Sequence, residues 1–122
     1  MINSIQRPSV ILLVEDNADL RRMFRTALLL EGFEVQEAAD GYEALRLIEQ
    51  GAATLVVLDL RLPIIDGLTV LRELERKQKV PVVVVTASDE DVSRFDVECV
   101  LRKPVTPDKL IATVKRCLAK SA

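Results

Sequence analysis

Leu55-Val56-Val57-Leu58-Asp59 is four apolar residues closed by a carboxylate, and Leu60-Arg61-Leu62-Pro63 and Gly67 follow it. An uninterrupted Leu/Val run of this length reads as a parallel strand covered on both faces. The proline and glycine beyond it force a loop. A carboxylate that ends such a strand stands on the rim where α/β proteins bind ligands.

Other strand ends agree. Val10-Ile11-Leu12-Leu13-Val14 stops at Glu15-Asp16, Val82-Val83-Val84-Val85 stops at Thr86, and Cys99-Val100-Leu101-Arg102 runs into Lys103-Pro104. Between them the chain reads as helix about 17–31, strand 33–38, helix about 41–50, strand 54–58, helix about 67–77, strand 81–86, a short helix about 89–95, strand 99–102 and helix about 106–119. Gly32 and Gly51 follow helix ends, Asp40-Gly41 opens the second helix, and Thr106-Pro107 opens the last one with an N-cap and a proline at the first helical position. The expected fold is a single doubly wound (βα)5 domain with a five-stranded parallel sheet in the order 2-1-3-4-5. Residues 1–9 are a short tail and 10–119 the domain.

The length, 122 residues, is that of one domain, and 49% hydrophobic against 30% charged residues is the composition of a folded chain with a core. A net charge of −2, with no Lys/Arg cluster on a candidate recognition helix, gives no footprint for direct nucleic-acid binding. Apolar runs reach only five residues, too short for a membrane span, and Met1 to Ser9 has no signal-peptide apolar core. A cytoplasmic protein is expected. Cys99 and Cys117 have no CxxC spacing and no His to complete a metal site, so they read as separate reduced thiols. The absence of His excludes His-based acid/base chemistry within the chain.

On one rim the sheet gathers Glu15, Asp16, Asp59, Thr86 and Lys103. Taken singly, Glu15-Asp16-Asn17 is a helix cap, Thr86 a turn residue and Lys103 a solvated charge. Together they are a constellation. Three carboxylates within about 5 Å repel by a few kcal/mol per pair at an effective dielectric near 20. Lys103 offsets one charge, and a small hard cation suits the remainder. Mg²⁺ prefers oxygen ligands and needs only one or two direct carboxylates. A cation, a hydroxyl and an ammonium around a carboxylate are what a transferring phosphoryl group requires, with Asp59, on the middle strand, as the nucleophile.

These residues also carry a resemblance. Leu13-Val14-Glu15-Asp16-Asn17, Asp59-Leu60-Arg61-Leu62-Pro63 with Asp66-Gly67, Val85-Thr86-Ala87 and Lys103-Pro104 are similar to the motifs of the response-regulator receiver domain of two-component signalling, a flavodoxin-like family, over about Val10 to Leu118. The resemblance implies that Asp59 accepts a phosphoryl group from a phosphohistidine on a histidine kinase or histidine phosphotransfer protein. It implies Mg²⁺ bound by Asp16, Asp59 and the Arg61 backbone carbonyl, with Glu15 acting mostly through water, and Thr86 and Lys103 contacting the phosphoryl group. It further implies a cis Lys103-Pro104 peptide, and a phosphoacceptor that assists its own phosphorylation and dephosphorylation but is not otherwise an enzyme. Arg61 and Ser88 occupy positions that tune phosphate lifetime in the family.

Two departures stand out. Val100 replaces the Tyr or Phe usual three residues before the lysine, and Thr86 to Lys103 is a short interval of 17 positions, which shortens the fourth helix. An output route without an aromatic switch is expected, through the loops after Asp59 and Thr86 or by relay to another partner. The rival readings are a receiver used as a binding module without phosphorylation and a Mg²⁺-dependent aspartyl-phosphate phosphatase. Glu15-Asp16-Asn17-Ala18 lacks the DxD of that phosphatase class, and no GxGxxG follows Val14 for a dinucleotide site.

Overall fold

The computed structural model describes residues 7–77, 80–87 and 99–121, the last without its side chain. In chain order these are β1 (Val10–Val14), α1 (Ala18–Leu30), β2 (Glu34–Ala38), α2 (Gly41–Gln50), β3 (Leu55–Asp59), α3 (Gly67–Lys77), β4 (Val82–Thr86), β5 (Cys99–Arg102) and α4 (Pro107–Ser121). All strand pairings are parallel and the order is β2-β1-β3-β4-β5, as expected. The expected short helix at about 89–95, the shortened-helix reading and Ser88 lie outside the described residues.

Side-chain alternation explains the continuous apolar runs. Ile11, Leu13, Val57, Val83, Val85 and Leu101 pack with Phe24 and Leu28 of α1 and Leu110, Val114 and Cys117 of α4. Leu12, Val14, Val56, Leu58, Val82 and Val84 pack on the other side with Ala44 and Ile48 of α2 and Val70, Leu71 and Leu74 of α3. Each central strand therefore needs apolar residues at every position. The edge strand β2, Glu34-Val35-Gln36-Glu37-Ala38, departs from that pattern because only part of it is covered.

Helix starts are held by side chains. Asn17 accepts from Leu20 N–H at 2.9 Å, Asp40 from Glu43 N–H at 2.8 Å, Asp66 from Thr69 N–H at 2.8 Å and Thr106 from Lys109 N–H at 3.2 Å. The first of these sets the turn immediately after Glu15 and Asp16.

The loop from Leu60 to Asp66 is clamped by two glycines. Gly67 N–H donates to the Leu60 carbonyl at 3.0 Å and Gly41 N–H to the Pro63 carbonyl at 3.3 Å. A methyl group at Gly41 would overlap the Ile65 backbone carbonyl, and one at Gly67 the Leu60 backbone. Between these clamps Ile64 holds a φ of 72°, a region that non-glycine residues occupy only when their surroundings impose it. Gly41→Ala is therefore expected to destabilise the fold by about 2 kcal/mol or more, because the obstacle is backbone and not a mobile side chain. A urea midpoint equal to the wild type would show that the loop yields freely.

Candidate functional site

The rim residues converge as their strand ends require. Asp59 is 3% and Glu15 2% exposed, while Asp16 faces solvent. One carboxylate oxygen from each lies within 4.8 Å of the others. The Lys103 side chain reaches across from the end of β5, donating from Nζ to Asp59 Oδ2 at 2.9 Å and lying 3.3 Å from Glu15 Oε1. Asp59 Oδ1 accepts the Arg61 N–H at 2.9 Å, which places the Arg61 peptide on the rim. Thr86 is buried at the end of β4, and its carbonyl accepts the Lys103 N–H at 2.9 Å. The Lys103-Pro104 peptide is cis, as the resemblance implies.

Every assigned residue thus sits on one rim, and Glu15, Asp16, Asp59 and Lys103 form its charged centre. Beside it an open cleft of about 500 Å³ is lined by Asp16, Leu60, Arg61, Leu62, Pro63 and Asp66. The donor set is all oxygen, hard and overall negative even after Lys103 is counted. That is the chemistry Mg²⁺ selects.

Burial shapes the electrostatics. Loss of solvent, reinforced by the Asp59 charge, raises the Glu15 carboxyl to about 7 despite the Asn17 N–H and Lys103. For Lys103 desolvation favours the neutral amine, but the bonds and charges of Asp59 and Glu15 outweigh it and hold the ammonium above the ordinary lysine value. Asp66 is held below its ordinary value by the Thr69 N–H it caps.

A pH dependence follows from Glu15. With a folded value of about 7 against 4.5 for the free group, the folded chain keeps a proton that the unfolded chain has released between those limits. Stability of the metal-free protein is therefore expected to fall as pH rises from 4.5 to about 7, and Glu15→Gln should flatten this part of the profile. Urea midpoints across that window check it; equal slopes in the two proteins would contradict the assignment.

Sequence reasoning missed the support behind Glu15. Arg21 of α1 donates from Nη1 to the Glu15 carbonyl at 2.8 Å and from Nε to Glu37 of β2 at 3.2 Å, and Arg25 Nη1 reaches the second Glu37 oxygen at 3.3 Å. Asn17 N–H also donates to Glu15 Oε2 at 3.1 Å. The only available signal was Arg21 one turn after the Asn17 cap, which puts its side chain back over the strand end.

One expectation is corrected. Cys99 of β5 and Cys117 of α4 are not separate thiols but a disulfide, with Cα atoms 6.9 Å apart. Residues 18 apart in sequence meet because α4 packs back across the strand it follows.

Comparison with known proteins agrees with this geometry. Residues 11–115 match the response regulator receiver domain family, and the chain belongs to it. A transcriptional regulatory protein CpxR homolog of Haemophilus influenzae is 37% identical over 119 residues, covering 93% of this chain and 52% of the relative. The transcriptional regulatory protein YcbL of Bacillus subtilis is 34% identical over 115 residues, covering 90% and 51%. The chain thus spans about half the length of these curated relatives. Among solved structures, a CheY-like response regulator receiver domain from Methanospirillum hungatei superposes with a TM-score of 0.86 at 25% identity, covering 93% of this chain and 96% of that one. The signal receiver domain of a LuxO repressor protein from Vibrio parahaemolyticus gives 0.85 at 26% identity, covering 94% and 93%. This protein is a receiver domain of two-component signalling with the flavodoxin-like fold.

Proposed function

We propose that Asp59 accepts a phosphoryl group from a phosphohistidine on a histidine kinase or histidine phosphotransfer protein, in a Mg²⁺-dependent reaction. The observation that carries this is a buried aspartate on the central strand that shares one lysine with Glu15 while three carboxylate oxygens lie within 4.8 Å. An Asp59 oxygen attacks phosphorus, a P–O bond forms and the P–N bond to the donor imidazole breaks. Arg61 N–H holds the other oxygen in place, and Lys103, already at the site, turns its ammonium to the incoming phosphoryl oxygens. Thr86 supplies a hydroxyl from the neighbouring strand. Asp16, Asp59 and the Arg61 carbonyl would hold Mg²⁺, with Glu15 acting mostly through water, and the ion would supply charge neutralisation there. On this reading the domain is a phosphoacceptor and not a turnover enzyme, although it assists both the gain and the loss of its phosphoryl group.

The relatives named above are transcriptional regulators, which favours an output on transcription through a module or partner other than this domain. Among the described residues no helix is long and apolar enough to cross a membrane, in keeping with a cytoplasmic site of action. Val100 stands 44% exposed on the edge strand β5. Its branched side chain has few rotamers and a short reach, so the signal is carried by the segments that follow Asp59 and Thr86 or by onward phosphoryl transfer.

Incubation with Mg²⁺ and acetyl phosphate followed by intact mass measurement tests the proposal. One added phosphoryl group, removed by hydroxylamine as an acyl phosphate is, supports it. No adduct with either acetyl phosphate or a phosphohistidine donor would refute it.

A further inference from the structure

We propose that Cys99 and Cys117 are a peroxide-oxidisable thiol pair whose disulfide staples β5 to α4. Cys99 is half-buried on the edge strand, whereas Cys117 is 0% exposed in the layer between sheet and helix. An oxidant in solution therefore meets Cys99 first. Arg116, on the exposed side of α4, directs Nη2 to the Cys99 sulfur at 3.6 Å. A guanidinium in that position stabilises the thiolate, which is the nucleophilic form. Accessibility, a cation and a second sulfur in facing position are the three requirements of a redox-sensing cysteine with its resolving partner.

Starting from the reduced pair, the Cys99 thiolate attacks one oxygen of a hydroperoxide. An S–O bond forms, the O–O bond breaks and the leaving oxygen departs as water or alcohol after protonation. The Cys117 thiol then attacks the sulfenic sulfur; the S–S bond forms, the S–O bond breaks and hydroxide leaves as water with the Cys117 proton. The two sulfurs lose two electrons in all, and the peroxide gains them. A dithiol reductant reverses the change by exchange through Cys99, the reachable sulfur.

The staple acts on the strand that presents Lys103. Oxidation fixes β5 against α4, and reduction leaves that contact to noncovalent packing. Any effect of the staple on phosphoryl acceptance through Lys103, and the expectation that in a reducing cytoplasm the bond forms only transiently, rest on the function proposed above.

The test begins with the fully reduced wild type exposed to hydrogen peroxide, with alkylation and peptide mass mapping over time. Both thiols should disappear together into an intramolecular 99–117 crosslink that a dithiol reverses, and amide exchange across 99–121 should slow. Dimedone should trap a sulfenic acid on Cys99 in Cys117→Ala, and Arg116→Gln should slow oxidation about tenfold, the size of one lost charge-assisted hydrogen bond. Thiols inert to peroxide, a first adduct on Cys117, or a crosslink between chains would each overturn the proposal. Wild-type mapping alone decides the matter if Cys117→Ala does not fold. None of these readouts involves Asp59, so their failure leaves the phosphoryl-acceptor reading standing, and the reverse.

Discussion

Asp59→Asn is expected to abolish phosphoryl acceptance while leaving the fold in place. An amide of the same shape keeps the bond from Arg61 N–H, now 2.9 Å from Asp59 Oδ1. It offers no anionic oxygen for attack on phosphorus, so no acyl phosphate forms. Asp16 is the informative control: it is exposed, and its carboxylate lies within 4.8 Å of the others. Mass mapping after acetyl phosphate treatment should find nothing on either residue in the variant. Stoichiometric labelling that persists, at Asp16 or elsewhere, would sink the assignment.

Lys103→Ala is expected to have the largest effect on stability. It leaves Glu15 and Asp59, both almost wholly buried, facing one another with no cation between them. Removing one partner from such a cluster costs roughly 2–4 kcal/mol, somewhat less than a fully buried pair because the lysine side chain is 25% exposed. The sign with pH is set by Glu15: losing Lys103 removes an influence that lowers its carboxyl, so in the variant Glu15 takes up its proton above about 7, stops repelling Asp59, and the cost shrinks as pH falls toward that value. Mg²⁺ should recover part of the loss by taking over the role of the ammonium. Urea unfolding with and without Mg²⁺ reads both effects; a variant as stable as the wild type in the metal-free state would show that Lys103 does not hold the carboxylates together.

Much of this was legible in the chain because three strands are covered on both faces. Val10–Val14, Leu55–Asp59 and Val82–Thr86 announce themselves as unbroken apolar runs, and their last residues are then rim residues by topology alone. What the sequence hid depends on how helices turn against the sheet. Arg21 meets Glu37 and the Glu15 carbonyl only because α1 crosses β1 and β2 at one particular rotation. The Cys99–Cys117 bond has the same origin. Cys117 was legible as part of the Leu110-Val114-Cys117 stripe, and Cys99 shares strand parity with Leu101, which packs in that same layer. Parity and stripe together put both sulfurs between sheet and α4, but only the packing distance brings them into register. Val100, of opposite parity, emerges on the other side of the edge strand.

The acidic cluster is lopsided: two of its carboxylates are enclosed and the third, Asp16, opens onto the cleft shared with Arg61, Leu62 and Pro63. Among the described residues, the cleft reaches the cluster on the Asp16 side. An ion can shed its water stepwise against Asp16 before meeting the enclosed pair, and return to bulk by the same path without any strand or helix parting. On the proposed function, a cation bound here would keep contact with solvent on the Asp16 side, which favours ready exchange over a fixed structural role.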